Sequence, residues 1–403
     1  VCMKYDFDKI ISRQGTDAVS VDGFRVYLFD NKDPLNLPCA DSEAIPMWVA
    51  DMEFATCPEI IDALKARVDH GIFGYTEIFN ANIKNAFIKW AKTRYNWEVE
   101  SDHIITSQGV VPALYDLIEY ICKPDKKILT LTPSYSYFKS AADAKGIELL
   151  TTDLVRKEGS FFIDFEDIRL KIKNNKVSLF LLCSPHNPTG RIWTDTELRE
   201  LGEICLENDV TIISDEIHCD ILRKGNQFTP LAKLFPHSDK IITCMAPSKT
   251  FNLAGLMFAI TIIPNTEWRA RWIKNHFSSE NPLSITAAQA AYASGHEWLK
   301  ELTDYLDLNF EFLREYLAIH LPKAVFTIPE ATYLAWIDVS AYFSKEENAA
   351  LFFANNAGVL LEGGNMFVSN ADGYIRLNLA CPKSRLEEGL RRITESINNR
   401  ATS

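Results

Sequence analysis

Between Lys127 and Ile263 the chain repeats one pattern, a short apolar run rich in β-branched residues followed by a longer amphipathic stretch. The runs are Lys127–Thr132, Val177–Ser184, Val210–Ser214, Lys240–Met245 and Met257–Ile263. Runs of this length with little polar alternation suit strands buried on both faces, as in a largely parallel sheet. Parallel neighbours need a crossover, usually a helix. Thr194–Asn208 supplies the clearest one. Thr194 and Glu197 form a capping box, and Leu198, Leu201, Ile204 and Cys205 make one apolar stripe. The resulting βαβ unit is expected to be right-handed. Further helices are predicted from about Pro58, which suits a first turn, and from Gly109 to about Cys122.

The last third reads differently. Ile285–His320 is one long helical pattern, followed by strands at Tyr333–Val339 and Tyr374–Leu379 and a helix over Lys383–Asn398. A chain of 403 residues exceeds one ordinary core. The expected fold class is α/β: a large domain over residues 47–285 built on a mainly parallel sheet, and a smaller α+β domain from residues 1–46 and 286–403.

Composition excludes several function classes. The formal net charge of -12 argues against nucleic-acid and anionic-membrane partners. No apolar run is long enough to span a bilayer, and Val1–Ile10 is too charged to predict a secretory leader. The nine cysteines include no CxxC pair, which predicts reduced thiols and a cytoplasmic location. Cys183, Cys205 and Cys244 read as small buried hydrophobes. GxxxxGK[ST], GxGxxG and HExxH are all absent, and the eight histidines lack metal-ligand spacing, so no metal site is expected.

Four segments fall where predicted strands give way to turns. They are Ser107-Gln108-Gly109-Val110-Val111, Ser184-Pro185-His186-Asn187-Pro188-Thr189-Gly190, Ser214-Asp215-Glu216-Ile217-His218 and Ala246-Pro247-Ser248-Lys249-Thr250-Phe251-Asn252. Open α/β sheets bind ligands at the carboxyl ends of their strands. Singly, each segment is an ordinary turn, helix cap or surface lysine. In this order, together with Tyr135 and Arg376, they resemble the fold-type I pyridoxal-phosphate (PLP) enzymes of the aminotransferase class I/II superfamily. The resemblance runs from about Ile45 to Leu390.

It implies roles residue by residue. Lys249 is the lysine that binds the cofactor aldehyde and moves a proton. Asp215 is the acid that keeps the pyridine nitrogen protonated. Asn187 serves the phenolic oxygen and the substrate, and Tyr135 stacks on the ring and meets the substrate. Backbone N–H groups of Gly109, Val110 and Val111, with Gln108, receive the phosphate at a helix N-terminus. Arg376 grips the substrate α-carboxylate with two parallel hydrogen bonds.

Met47-Trp48-Val49-Ala50-Asp51-Met52-Glu53-Phe54-Ala55 and Gly71-Ile72-Phe73-Gly74-Tyr75-Thr76 resemble the carbon–sulfur β-lyase branch, the MalY/PatB-type cystathionine β-lyases. His218, where many aminotransferases carry tyrosine, points the same way, and Cys219 and Asp220 beside it read as structural. This branch implies that Ala50 faces the substrate, and that Tyr75 reaches the cofactor phosphate of a neighbouring subunit in a homodimer with shared sites. It implies a small amino-acid substrate: β-elimination of L-cystathionine or related cysteine thioethers to a thiol, pyruvate and ammonia. Two usual phosphate contacts are replaced, by Ala246 and Met257, and Ser248 is the expected substitute. The thiol-side pocket is expected around Phe54, Phe73 and Asn365. The rival activity is transamination. A contact with a transcription regulator is a further role carried by this branch.

Overall fold

The computed structural model describes residues 3–29, 34–77, 79–275 and 280–401. Its central sheet has seven strands. In chain order these are β1 (Ile104–Ser107), β2 (Lys127–Thr132), β3 (Leu149–Asp153), β4 (Val177–Cys183), β5 (Thr211–Asp215), β6 (Ile241–Met245) and β7 (Ala259–Ile262). Their spatial order is β1-β7-β6-β5-β4-β2-β3. The pairs β2–β3, β2–β4, β4–β5 and β5–β6 are parallel. β7 runs antiparallel to both β6 and β1. β1 therefore points the same way as β2 to β6, and its carboxyl end opens on the same side of the sheet. The five apolar runs of the sequence are five of these strands, but Met257–Ile263 forms the reversed one. Ile104–Ser107 and Leu149–Asp153 were not among them.

Alternation within one strand shows why these runs are apolar throughout. In β4, Leu179 and Leu181 face a cluster that includes Val110, Leu114, Leu117, Phe138 and Trp272. Phe180 and Leu182 face the opposite cluster, with Ile168, Trp193, Leu198 and Leu201. A sheet covered on both faces leaves little room for charge within its strands, and the polar residues inside them are small and buried, as Thr130, Thr243 and Thr261 are. The helix Asp195–Glu207 carries the expected capping box of Thr194 and Glu197. Val110–Ile121 and Pro58–Asp69 are the other two expected helices.

The smaller sheet is built from β8 (Leu334–Asp338), β9 (Glu362–Gly363) and β10 (Tyr374–Asn378), in the antiparallel order β8-β10-β9. Leu313 and Leu317 of the helix His296–His320, with Leu386, Leu390 and Ile393 of the helix Lys383–Ala401, cover it. The long helical pattern is two helices, Pro282–Ser294 and His296–His320, parted at Gly295. A Cβ on Gly295 would come within 2.2 Å of the Phe251 ring, so close packing fixes glycine at the break. A third core holds both regions together, with Phe54, Trp90 and Phe251 packed against Leu302, Tyr305 and Tyr333.

Candidate active site

Strand ends place charge where the sheet cannot. β4, β5 and β6 stop at Cys183, Asp215 and Met245, and each releases its chain into a turn on the same edge. Ser107 of β1 ends there too, and Gly109 follows it as the cap of the helix Val110–Ile121. Gly109 has φ +154, and a Cβ there would lie 3.3 Å from the Pro112 ring. The four turns enclose a cavity of about 640 Å³, within the range of small-molecule sites. Ala50, Gln108, Gly109, Val110, Val111, Tyr135, Asn187, Asp215, His218, Ser248, Lys249 and Arg376 all line it. Residues 47–55 run past the cavity as a strap, with Trp48, Val49 and Ala50 on its wall. Asn252 holds it by donating to the Met52 and Phe54 carbonyls at 3.0 Å each, and Asn378 donates to Val49 O at 2.6 Å. Arg13 pairs with Asp51 through both carboxylate oxygens, at 2.9 and 2.6 Å.

Lys249 sits under this strap. Its Nζ donates to Ala50 O at 2.7 Å, and the Tyr333 hydroxyl donates to the same oxygen at 2.8 Å. Burial and the nearby Arg376 charge lower the Lys249 pKa to about 8. Asp215 is buried and accepts one backbone bond, from Ile217 N at 3.2 Å. Burial raises its pKa to about 6. The imidazole of His218 is held neutral, its pKa lowered to about 3 by burial and then by Lys249, and its Nδ1 has no hydrogen-bond partner. His186, also lowered to about 3 by burial, shares a 2.6 Å bond with Thr189 Oγ1 and so stiffens the Asn187 turn.

Arg376 is only 2% exposed. Its Nη1 donates to Asn187 Oδ1 at 3.0 Å and its Nη2 to Trp48 O at 3.0 Å. Nη2 also forms an ion pair with Glu362, which stands opposite Arg376 in the β9–β10 ladder. The guanidinium lies 5.5 Å from the centre of the Phe367 ring.

Other expected positions lie elsewhere. Tyr75 does not line this cavity; it is 93% exposed and shares a surface hollow with Phe73 and Glu280. Phe54, expected beside the substrate, is instead a core residue, edge-on to Phe7 and Tyr305 at 5.1 and 5.6 Å. Phe73 and Asn365 are likewise absent from the cavity wall. Cys205 and Cys244 are buried hydrophobes, whereas Cys183 is also a wall residue of the cavity. Sequence reasoning missed Glu362, Met366, Phe367 and Trp48 as wall residues. Only Glu362 carried a signal, an acid at the end of the apolar run Val359-Leu360-Leu361. Among the described residues there is no group of three or more His, Cys, Asp or Glu that could hold a metal ion. No helix among them is long and apolar enough to cross a membrane.

The family model for aminotransferase class I and II matches residues 43–393. The chain belongs to this family. Among its aminotransferase class I/II relatives, the cystathionine beta-lyase PatB of Bacillus subtilis is 38% identical over 97% of this chain and 100% of its own length. Protein MalY of Escherichia coli is 29% identical over 98% of this chain and 99% of its own. The PLP-bound C-S lyase of Staphylococcus hominis, complexed with L-cycloserine, superposes with a TM-score of 0.95 at 46% identity, covering 98% of each chain. Cystalysin of Treponema denticola, which contains PLP, gives 0.92 at 31% identity over 98% of this chain and 100% of its own.

Proposed function

We infer that the chain is a PLP-dependent carbon–sulfur β-lyase. The observation that carries this is the full-length match to PatB and to C–S lyase structures, coupled to a buried lysine facing a buried acid in one cavity. The site suits the cofactor. Asp215 is a buried carboxylate without a cationic hydrogen-bond partner, which is what a protonated ring nitrogen needs opposite it. The N-terminus of Val110–Ile121 opens on the cavity and suits a phosphate. PLP supplies an aldehyde that captures the substrate amine and a ring that takes up the electron pair of the broken Cα–H bond.

The protein's part follows from its own groups. Lys249, held close to neutrality, removes the proton from Cα. With the cofactor bound, Asp215 would keep the ring nitrogen charged, Asn187 would serve the phenolic oxygen and Tyr135 the ring face, and Gly109, Val110, Val111 and Ser248 would hold the phosphate. Arg376 orients the substrate through its α-carboxylate, and Ala50 lies beside it on the wall. The leaving thiolate is a stable anion, so elimination needs little acid assistance. L-Cystathionine and related cysteine thioethers are the proposed substrates. The proposed assembly is a homodimer in which Tyr75 reaches the partner's cofactor phosphate; its 93% exposure in the single chain supports this.

The test is product release. Purified holoenzyme with L-cystathionine and no keto acid is expected to release pyruvate and a thiol. Turnover only on adding a keto-acid acceptor would make it a transaminase.

A further inference from the structure

A guanidinium can hold a carboxylate by two parallel N–H bonds along its Nε/Nη2 edge or its Nη1/Nη2 edge. Nη2 belongs to both. In Arg376 this nitrogen already donates to Trp48 O and is paired with Glu362. Nη1 is bonded to Asn187, and Nε has no partner. A carboxylate arriving from the cavity therefore meets an internal carboxylate at the nitrogen both grips require. Glu362 is held there by its cross-strand place opposite Arg376, and its side chain forms part of the cavity wall.

We propose that Glu362 is a resident counter-ion of Arg376 that the substrate α-carboxylate must displace, and that Glu362 takes up a proton as it is displaced. This rests on the reading of Arg376 as the substrate-carboxylate site. The charged and titratable groups facing Glu362 are Arg376 from β10, Lys249 from the turn after β6, and the Tyr135 hydroxyl. The helix Ala349–Ala357 behind β9 presents Ala350 and no charge. Two carboxylates on one buried guanidinium repel, so one is protonated. Glu362 is the one that accepts the proton. Burial already raises its pKa against the pull of Arg376 and Lys249, whereas a free α-carboxyl is intrinsically the stronger acid. The substrate proton balance is simple: one proton from solvent passes to Glu362 for each carboxylate bound, and none is consumed in turnover because it returns when product leaves.

The experiment uses the holoenzyme and butyrate, a carboxylate with no amine, titrated by the cofactor absorbance from pH 6 to 9. In the wild type, binding is expected to weaken by up to about tenfold per pH unit above the Glu362 pKa. Glu362→Gln, which keeps shape but has no charge, is expected to bind butyrate more tightly at high pH and to lose this slope. Glu362→Asp, which keeps the charge, is expected to retain it. Parallel slopes in wild type and E362Q, weaker binding by E362Q, loss of the slope in E362D, or no butyrate binding to any of the proteins would overturn the proposal. Pyruvate release from L-cystathionine by the wild type is read separately. A wild type that releases none, yet binds butyrate with the proton-linked slope, overturns the lyase reading and leaves the role of Glu362 standing.

Discussion

Asp215 shows what the site costs the empty fold. Its displacement from an ordinary 3.8 to about 6 corresponds to a penalty on the order of 3 kcal/mol. The sign follows from linkage. Below about pH 4 the acid is protonated folded or unfolded, and there is no penalty. As pH rises through about 6 the folded chain must carry a buried charge, and the penalty is complete. Asp215→Asn keeps the acceptor for Ile217 N and removes that charge. The cofactor-free variant is expected to melt a few degrees higher than the cofactor-free wild type at pH 7, and about equally at pH 4, while the PLP-loaded variant loses several orders of magnitude in turnover relative to the PLP-loaded wild type. Calorimetry at both pH values checks this. Lys249 gives a second prediction at the same scale. With its pKa lowered to about 8, capture of added PLP by the cofactor-free enzyme should quicken about tenfold per pH unit up to pH 8 and then level off. A rate still climbing toward pH 10 would mean the amine is not desolvated. Lys249 and Asp215 stood out only through the order of their segments and the resemblance that order carries, and Arg376 because a charged side chain within an apolar run is costly unless it is paired. Glu362 carried the same signal, but its partner became visible only through strand pairing. Phe54 was misplaced because a sequence does not say which side of a strap an aromatic side chain faces.

Elements were legible in proportion to their apolar length. β2, β4, β5 and β6 are runs of five to seven residues buried along nearly their whole length. β3, Leu-Leu-Thr-Thr-Asp, lies at the sheet edge with half-exposed side chains, and so lacks that signature. β1 has four residues and two of them are polar. The reversal of β7 depends on the path of the chain, not on its residues. Turns that shape the site are the most exacting elements. Gly190 closes the Asn187 turn with φ +72, and a Cβ there would lie 2.3 Å from Pro329 and 2.9 Å from Ala331 O. Its N–H donates to His186 O and its carbonyl accepts from Ala331 N. Gly190→Ala is expected to destabilise by about 2 kcal/mol or more through the combined clash and left-handed strain. It should also raise KM more than it lowers kcat, because the displaced Asn187 no longer braces Arg376. Denaturant melts and steady-state kinetics on the same preparation separate the two effects.

At the scale of the molecule, the single chain builds nearly all of a site and leaves one expected contributor pointing outward. Ile72, Phe73, Tyr75 and Phe79 are large, apolar and exposed within one short segment, and exposed clusters of this kind mark contact surfaces. If Tyr75 completes the partner's site, a defect in Tyr75 and a defect in Lys249 on the same chain fall in different sites of the dimer. Lys249→Ala homodimers should be inactive, and Tyr75→Ala homodimers should bind PLP more weakly and turn over slowly. In a mixed dimer of the two variants, one site carries both defects and the other carries neither. Co-expressed, separately tagged chains purified as the mixed species should therefore recover up to about half the wild-type activity per dimer. Activity no higher than the mean of the two parental homodimers would show that each chain completes its site alone, and the exposed aromatic segment would then need another occupant.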